Sequence, residues 1–259
     1  MIDCGCSGEN IREYAGRLLE KAVDTVICTH SHIDHTGNAG FFPHVCMTER
    51  TAIGAKNPMD EDPGRLRLDY IPQIIAPGPL QVGDLTLEII LCDCHCPGNI
   101  MILDRKDGIL FTGDEIDRDQ VLLLPGFSER RGQYHSSPAA TVGEYRSMLM
   151  GLQVFQPVVT NLCTGHNGSP LPFSVIDEMI SLCDDVLSGK EASRDCRSDT
   201  YSPDMTHFPF YEANYCRYSR NGCSLVYCMD DLHDRRNNSI HIPATPLHGI
   251  CEENKQKGY

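Results

Sequence analysis

A chain of 259 residues, 41% hydrophobic and 22% charged, can bury a sizeable core, and its composition excludes wholesale disorder and a membrane class. A formal net charge of -14 argues against nucleic acid partners, because phosphate binding draws on Lys and Arg that release counterions. The opening MIDCGCSGEN has no basic stretch leading into an apolar one, so a cytoplasmic location without a membrane partner is expected, with the fourteen cysteines as reduced thiols.

Taken in chain order, Asn10 to Ala22 set Ile11, Tyr14, Leu18, Leu19 and Ala22 on one helical face, with Asn10 as N-cap. Thr25 to Thr29 form a short β-branched strand that stops where histidines begin. Residues Asn57 to Pro79 are rich in Pro, Gly and charge and read as an irregular excursion, with strand signals returning at Val82. Leu85 to Cys92, Ile100 to Leu103 and Ile109 to Phe111 read as successive strands, the last running into Thr112-Gly113-Asp114. Helical patterns at Thr141 to Phe155 and Ser174 to Leu187 flank a strand at Pro157 to Leu162. Ser188 to Asp204 is polar and turn-rich, Ser224 to Met229 reads as a late strand, and a single domain over residues 1–233 is expected to end in a polar tail, 234–259.

The chemistry concentrates in Thr29-His30-Ser31-His32-Ile33-Asp34-His35-Thr36-Gly37, where three imidazoles and a carboxylate fall within six positions. So many donors on one loop are costly unless a cation occupies it, and imidazole with carboxylate suits borderline divalent ions. Two histidines one residue apart can converge on one ion while Asp34 and His35 face another. The motif resembles the signature of the metallo-β-lactamase superfamily, which implies an α+β fold, the four-layer αββα sandwich. The resemblance spans residues 2 to about 187, with Ile2-Asp3-Cys4-Gly5 standing at the family's Asp-x-Gly turn. His95 in HCPGN, Asp114 in FTGDE and His166 in TGHNG match the three later ligands in order.

The similarity implies that His30, His32 and His95 hold one metal, that Asp34, His35 and His166 hold a second, and that Asp114 bridges them. It further suggests that Asp3 orients the ligand loop from behind, the alternative being a plain turn residue. The expected cofactors are two divalent ions, zinc before iron or manganese. Tyr134 and His135, on the loop after Asp114, are candidate substrate contacts. Cys92, Cys94 and Cys96 alternate around His95, so in an extended strand they would share the face opposite it and be buried as small apolar residues. His44, His135, His207, His233, His241 and His248 have no partner motif.

Two bridged cations can lower the pKa of a water held between them to about 7, so metal-bound hydroxide is the expected nucleophile, with Asp34 orienting it and relaying its proton. The resemblance is closer to glyoxalase II-like thioesterases and lactonases than to the secreted β-lactamases, which implies cleavage of an ester, thioester or lactone-type acyl bond in a small-molecule substrate. Phosphodiesterase or nuclease chemistry is the alternative enzyme class, disfavoured by net acidity. Non-heme diiron redox chemistry resembles an H-x-E-x-D pattern, whereas His32 stands here, and a non-catalytic metal-binding module is disfavoured because all seven ligand positions are filled. With the Asp-x-Gly turn so near Met1, the sandwich is expected to lack the N-terminal edge strands, leaving an edge for a homodimer to cover, unless the start is misassigned.

Overall fold

Consecutive apolar residues on the central strands serve different cores, and that alternation builds the layers. In the computed structural model, which describes residues 1–56, 66–123, 140–190, 215–229 and 232–233, β1 (Thr25–Ile27) pairs in parallel with β2 (His44–Met47), and β2 with β3 (Gln73–Ile74). Val26, Val45 and Met47 face one side with Ala52 and Ala55 of α3 (Glu49–Ala55), and Ile11 of α1 (Ile11–Leu19) packs against the same cluster. Ile27 and Cys46 face the other side, where they meet Leu87 and Ile89 of β5 (Leu85–Leu91) and Ile100 and Ile102 of β6 (Ile100–Asp104).

The second sheet runs β10-β9-β7-β6-β5-β4, adding β4 (Gly78–Val82), β7 (Ile109–Gly113), β9 (Asn161–Thr164) and β10 (Leu171–Pro172). Ile90, Met101, Leu103, Leu110 and Leu162 cover its far face, packed on α4 (Val142–Leu152) and α5 (Val175–Leu187). Helices, sheet, sheet and helices thus stack as the expected α+β αββα sandwich. A third sheet, β11 (Tyr215–Arg220), β12 (Cys223–Cys228) and β8 (Val121–Leu123), contributes Leu225, Tyr227, Val121 and Leu123 to the last core.

Strand directions fix where the ligand segments meet. Parallel β7 and β9 end on the same side, and antiparallel β6 begins there, so Asp114, His166 and the loop between β5 and β6 share one rim. The Ile100 N–H donates to Thr29 O at 2.9 Å, which joins the end of β1 to that rim. The short helix α2 (Ile33–Thr36) then carries Asp34 and His35.

Several elements differ from the sequence expectation. Asn10 does cap α1, accepting from Glu13 N, but the helix ends at Leu19, where Glu20 takes the left-handed conformation at φ 52 and its N–H bonds Gly16 O. Of its expected apolar face only Ile11 packs against the core: Tyr14, Leu18 and Leu19 are exposed, and Ala15, one turn beyond Ile11, is buried. Of the expected irregular excursion, residues 57–65 lie outside the described residues, β3 falls within the remainder, and β4 already starts at Gly78 because β5 supplies a pairing partner. The strand expected at Pro157 to Leu162 lies later, at Asn161–Thr164. Residues 1–3 run beside β1, with Met1 N and Asp3 N donating to Thr25 O and Ile27 O. Among the described residues no helix is long and apolar enough to cross a membrane.

Candidate metal centre

The β1 strand delivers Thr29 and His30 to the rim, and Asp3 holds them there. Asp3 sits at φ 53, a left-handed conformation that aspartate tolerates better than most residues, which turns its carboxylate toward the loop. Oδ1 accepts from Thr29 N at 2.7 Å, while Oδ2 accepts from Thr29 Oγ1 at 2.9 Å and from His35 Nδ1 at 2.8 Å. The expected supporting role of Asp3 therefore has a geometric basis in three bonds. Two glycines leave room for the convergence. A Cβ on Gly113, at φ +52, would lie 2.7 Å from Thr29 Oγ1, and one on Gly165 would overlap Asp114 Oδ1 and sit 3.0 Å from His35 Cε1.

The donors form two adjoining groups that share Asp114: His30, His32, His95 and Asp114, and Asp34, His35, Asp114 and His166, with the donor atoms of each group within 4.8 Å of one another. In the first, His30 Nδ1 lies 3.0 Å from Thr29 Oγ1, whose own proton goes to Asp3, so the ring donates there and turns a bare Nε2 inward. His95 Nδ1 donates to Leu122 O at 2.8 Å with the same result. His30 Nε2 then lies 3.0 Å from His32 Nδ1, and His95 Nε2 lies 3.1 Å from that same atom. Three ring nitrogens thus converge, two of them with lone pairs already directed inward.

Such an arrangement repels itself unless a proton or a cation sits inside it, and burial opposes the proton. Burial lowers all three rings below the ordinary imidazole range, well below for His30 and to about 3 for His32, with neighbouring histidines adding to the effect. Neutral, convergent imidazoles beside a carboxylate fit a divalent ion.

The second group is richer in carboxylate. His35 Nε2 lies 3.2 Å from Asp114 Oδ1 and 3.3 Å from Asp34 Oδ2, and His166 Nε2 lies 3.2 Å from Asp114 Oδ2 and 3.3 Å from Asp34 Oδ2. Among the described residues His35 Nε2 and Asp114 Oδ1 are buried without a hydrogen bond of good geometry, so the pull between these two atoms is chiefly one of proximity. Burial acts to raise the Asp34 and Asp114 carboxyls, but the adjacent His166 and His35 rings outweigh it and carry both far below the usual carboxylate range. For His35 burial acts downward and is outweighed by the carboxylates of Asp114, Asp3 and Asp34, while those of Asp114 and Asp34 raise His166 to about 10. Carboxylates that draw protons onto two imidazoles draw a cation by the same field.

All seven residues named from the sequence therefore come together, with Asp3 behind them. Tyr134 and His135 lie outside the described residues, as do His207, His241 and His248, while His44 and His233 are exposed away from both groups. The cysteines around His95 do not share one face. The segment is a turn, with Asp93 at φ 56, so Cys92 and Cys94 enter the core beneath α4 and α5 whereas Cys96 Sγ meets Ser31 Oγ at 3.4 Å. Burial pushes the Cys92 and Cys94 thiols well up, which keeps them protonated and apolar in character.

Sequence reasoning missed two carboxylates. Glu115 is fully buried, and its Oε1 accepts from Cys94 N at 2.9 Å and His95 N at 3.1 Å. Its burial raises the carboxyl to about 8 against those two bonds. Asp117, also buried, accepts from Asn167 N at 2.8 Å through Oδ2. Their only sequence signal is proximity to Asp114, which does not reveal a partner 21 or 50 residues away.

A family profile described as the metallo-β-lactamase superfamily matches residues 1–166. Curated proteins give no match. Among solved structures the chain is similar to a metallo-β-lactamase from Pontibacter korlensis, at 18% identity and TM-score 0.52, covering 71% of this chain and 81% of that one. It is also similar to the metallo-β-lactamase FIM-1 from Pseudomonas aeruginosa in its mono-zinc form, at 15% identity and TM-score 0.52 over 71% and 78% of the two chains. A double mutant of the sec-alkyl sulfatase PisA1 matches at 16% identity and TM-score 0.54, over 72% of this chain and 37% of that one. At these identities the structural likeness speaks to the fold alone.

Proposed function

The chain belongs to the metallo-β-lactamase superfamily of metal-dependent hydrolases, and from that premise we propose that it cleaves an ester, thioester or lactone-type acyl bond in a small molecule, using two divalent ions held by its seven rim residues. The observation that carries this reading is the pair of donor groups sharing Asp114, one with neutral imidazoles converging on a common point and the other rich in carboxylate. Zinc suits that donor set best, with iron or manganese as the alternatives.

Bound there, two such ions supply Lewis acidity toward a carbonyl oxygen and make a water nucleophilic at neutral pH. The protein's own residues do the rest. Asp114 faces both groups, with Oδ2 3.8 Å from His30 Nε2 and 3.7 Å from His95 Nε2 and Oδ1 3.2 Å from His35 Nε2, and so would balance positive charge on both sides. Asp34 is the most solvent-accessible of the carboxylates at the rim, with its side chain 43% exposed. Oδ2 faces His35 and His166, which leaves Oδ1 to take a proton from water and return it to the leaving group. No G-x-S-x-G element supplies a competing nucleophile, and the net charge of -14 disfavours polyanionic substrates.

The test pairs elemental analysis with a hydrolysis screen over thioesters, lactones, β-lactams, sulfate esters and phosphodiesters. The expected result is close to two ions per chain and acyl turnover that chelation abolishes and zinc restores. Protein that binds no divalent ion after reconstitution overturns the reading. Metal-dependent cleavage of phosphodiesters with none of acyl substrates moves the assignment to the phosphodiesterase class.

A further inference from the structure

The turn after β7 holds more than a shared donor. Asp114 points into the centre, and the next carboxylate, Glu115, turns away into the protein and binds the backbone of the loop carrying His95. Two residues further on, Asp117 binds the backbone beside His166, with its other oxygen accepting from Asp119 N at 2.9 Å. We propose that Glu115 and Asp117 are positioning residues, each setting one ion site: Glu115 the site of His30, His32 and His95, and Asp117 the site of Asp34, His35 and His166. The proposal rests on the two-ion reading above.

The case for Glu115 begins with its surroundings. The loop from Cys92 to Asn99 lies between two strands, and at residues 94 and 95 no strand partner takes the backbone N–H groups. One carboxyl oxygen takes both. Its partner Oε2 is buried with no hydrogen bond among the described residues, an unfavourable state for a polar atom, so the side chain is not there for packing alone. Its backbone is fixed in turn by the fully buried Tyr145, whose hydroxyl donates to Glu115 O at 2.7 Å. The His95 ring is then held at two points, its backbone by Glu115 and its Nδ1 by Leu122 O, and Nε2 is aimed at His32.

Asp117 does the corresponding work for a looser loop. His166 has a side chain 48% exposed, and its ring contacts Asp114 and Asp34 only through the donor set itself. What fixes the backbone is Gly165 N on Gly113 O at 2.9 Å, Thr164 Oγ1 on Asn167 O at 2.9 Å, and Asn167 N on Asp117. Two of these three bonds end on the β7 strand or the turn that follows it. A single turn thereby sets the spacing between the shared Asp114 and both loops, and groups that orient metal ligands from behind typically change affinity about 10- to 100-fold when removed.

The experiment uses the full chain with zinc as the probe, titrated in competition with a chromophoric chelator, and cobalt substitution to read each site by its absorption spectrum. Glu115→Leu keeps buried volume but accepts nothing, and it should weaken one ion about 10- to 100-fold with a changed cobalt spectrum while the other ion binds as before. Glu115→Gln retains an acceptor oxygen and should restore wild-type binding. Asp117→Ala should weaken the other ion, and Asp117→Asn, whose one carbonyl oxygen can still accept from Asn167 N, should restore it at least in part. Glu115→Ala replaces the leucine variant should that chain not fold, and melting of the metal-free proteins reports the purely structural effect. Equal loss of both ions in each variant, no loss in either, or failure of Gln and Asn to restore binding overturns the proposal. Wild-type protein that binds no ion overturns instead the two-ion reading on which it rests.

Discussion

Replacing Asp3 with alanine removes three hydrogen bonds at once, to Thr29 N, Thr29 Oγ1 and His35 Nδ1. The hydroxyl can turn elsewhere, but the Thr29 N–H and the His35 Nδ1–H are left as buried donors, on residues 0% and 2% exposed. An unsatisfied buried donor costs about 1–3 kcal/mol, so the two together cost about 2–6 kcal/mol. The Asp3 side chain is 17% exposed, so water can reach part of the vacated space and the lower end, about 2–3 kcal/mol, is expected. Denaturant unfolding in the presence of a chelator measures this without the ions. Asp3→Asn separates folding from binding: its carbonyl can still accept from Thr29 N, and asparagine tolerates the left-handed backbone. Its amide, however, would face the His35 Nδ1–H and favour the other tautomer, placing the proton on Nε2 toward Asp114 and Asp34. This variant should fold nearly as well as wild type and bind one ion about 10- to 100-fold more weakly. An alanine variant within about 0.5 kcal/mol of wild type, or an asparagine variant that keeps both ions, would refute the reasoning.

Gly165→Ala should also cost ion affinity, because its Cβ would overlap Asp114 Oδ1 and press on His35 Cε1, and overpacking of this kind costs about 1–3 kcal/mol; zinc titration checks it. Cys94→Ala should lower stability by about 1 kcal/mol through a small cavity and leave the ion count unchanged, since the thiol faces the helix-side core; a lost ion in elemental analysis would refute this placement. At the C-terminal end of α5, Lys190, Arg220 and Tyr218 surround Asp185 and hold its carboxyl at about 2. Its folded pKa is below the unfolded value, so the stability it contributes is complete above about pH 4 and is lost as pH falls toward about 2. Asp185→Asn should flatten the dependence of unfolding free energy on pH within that window, and an unchanged slope would count against the clamp.

The readable parts of this chain are those where one local rule dominates. The strands leading to His30 and Asp114 were legible because each apolar run stops at a donor, and α4 and α5 by their periodicity, which in α4 a reciprocal capping box of Thr141 and Glu144 reinforces. The α1 face was misread because periodicity identifies an apolar stripe without saying that a neighbour covers it. Only Ile11 and Ala15 find one among the described residues. Elements β2 and β8, of four and three residues, are too short for a period, and parallel pairing to a distant strand is what makes them strands. The cysteine segment was misread for a related reason, since strict alternation holds only while the chain stays extended and Asp93 breaks it.

The candidate site divides along the same line. Metal chemistry restricts ligands to a few residue types, so seven His and Asp side chains in a fixed order stand out in one dimension. Their supports carry no such restriction, because a carboxylate that accepts from a backbone N–H can hold any residue that owns one. Glu115 grips residues 94 and 95, and Asp117 grips residue 167, without any demand on side-chain identity at the gripped positions. Parallel β7 and β9 and antiparallel β6 bring the loops to a common rim. Strand direction cannot by itself bring the Nε2 atoms of His30 and His95 each to about 3 Å from His32 Nδ1. That last adjustment falls to bonds between carboxylates and backbone or ring N–H groups, from Asp3 on one sheet and from the turn after β7 on the other.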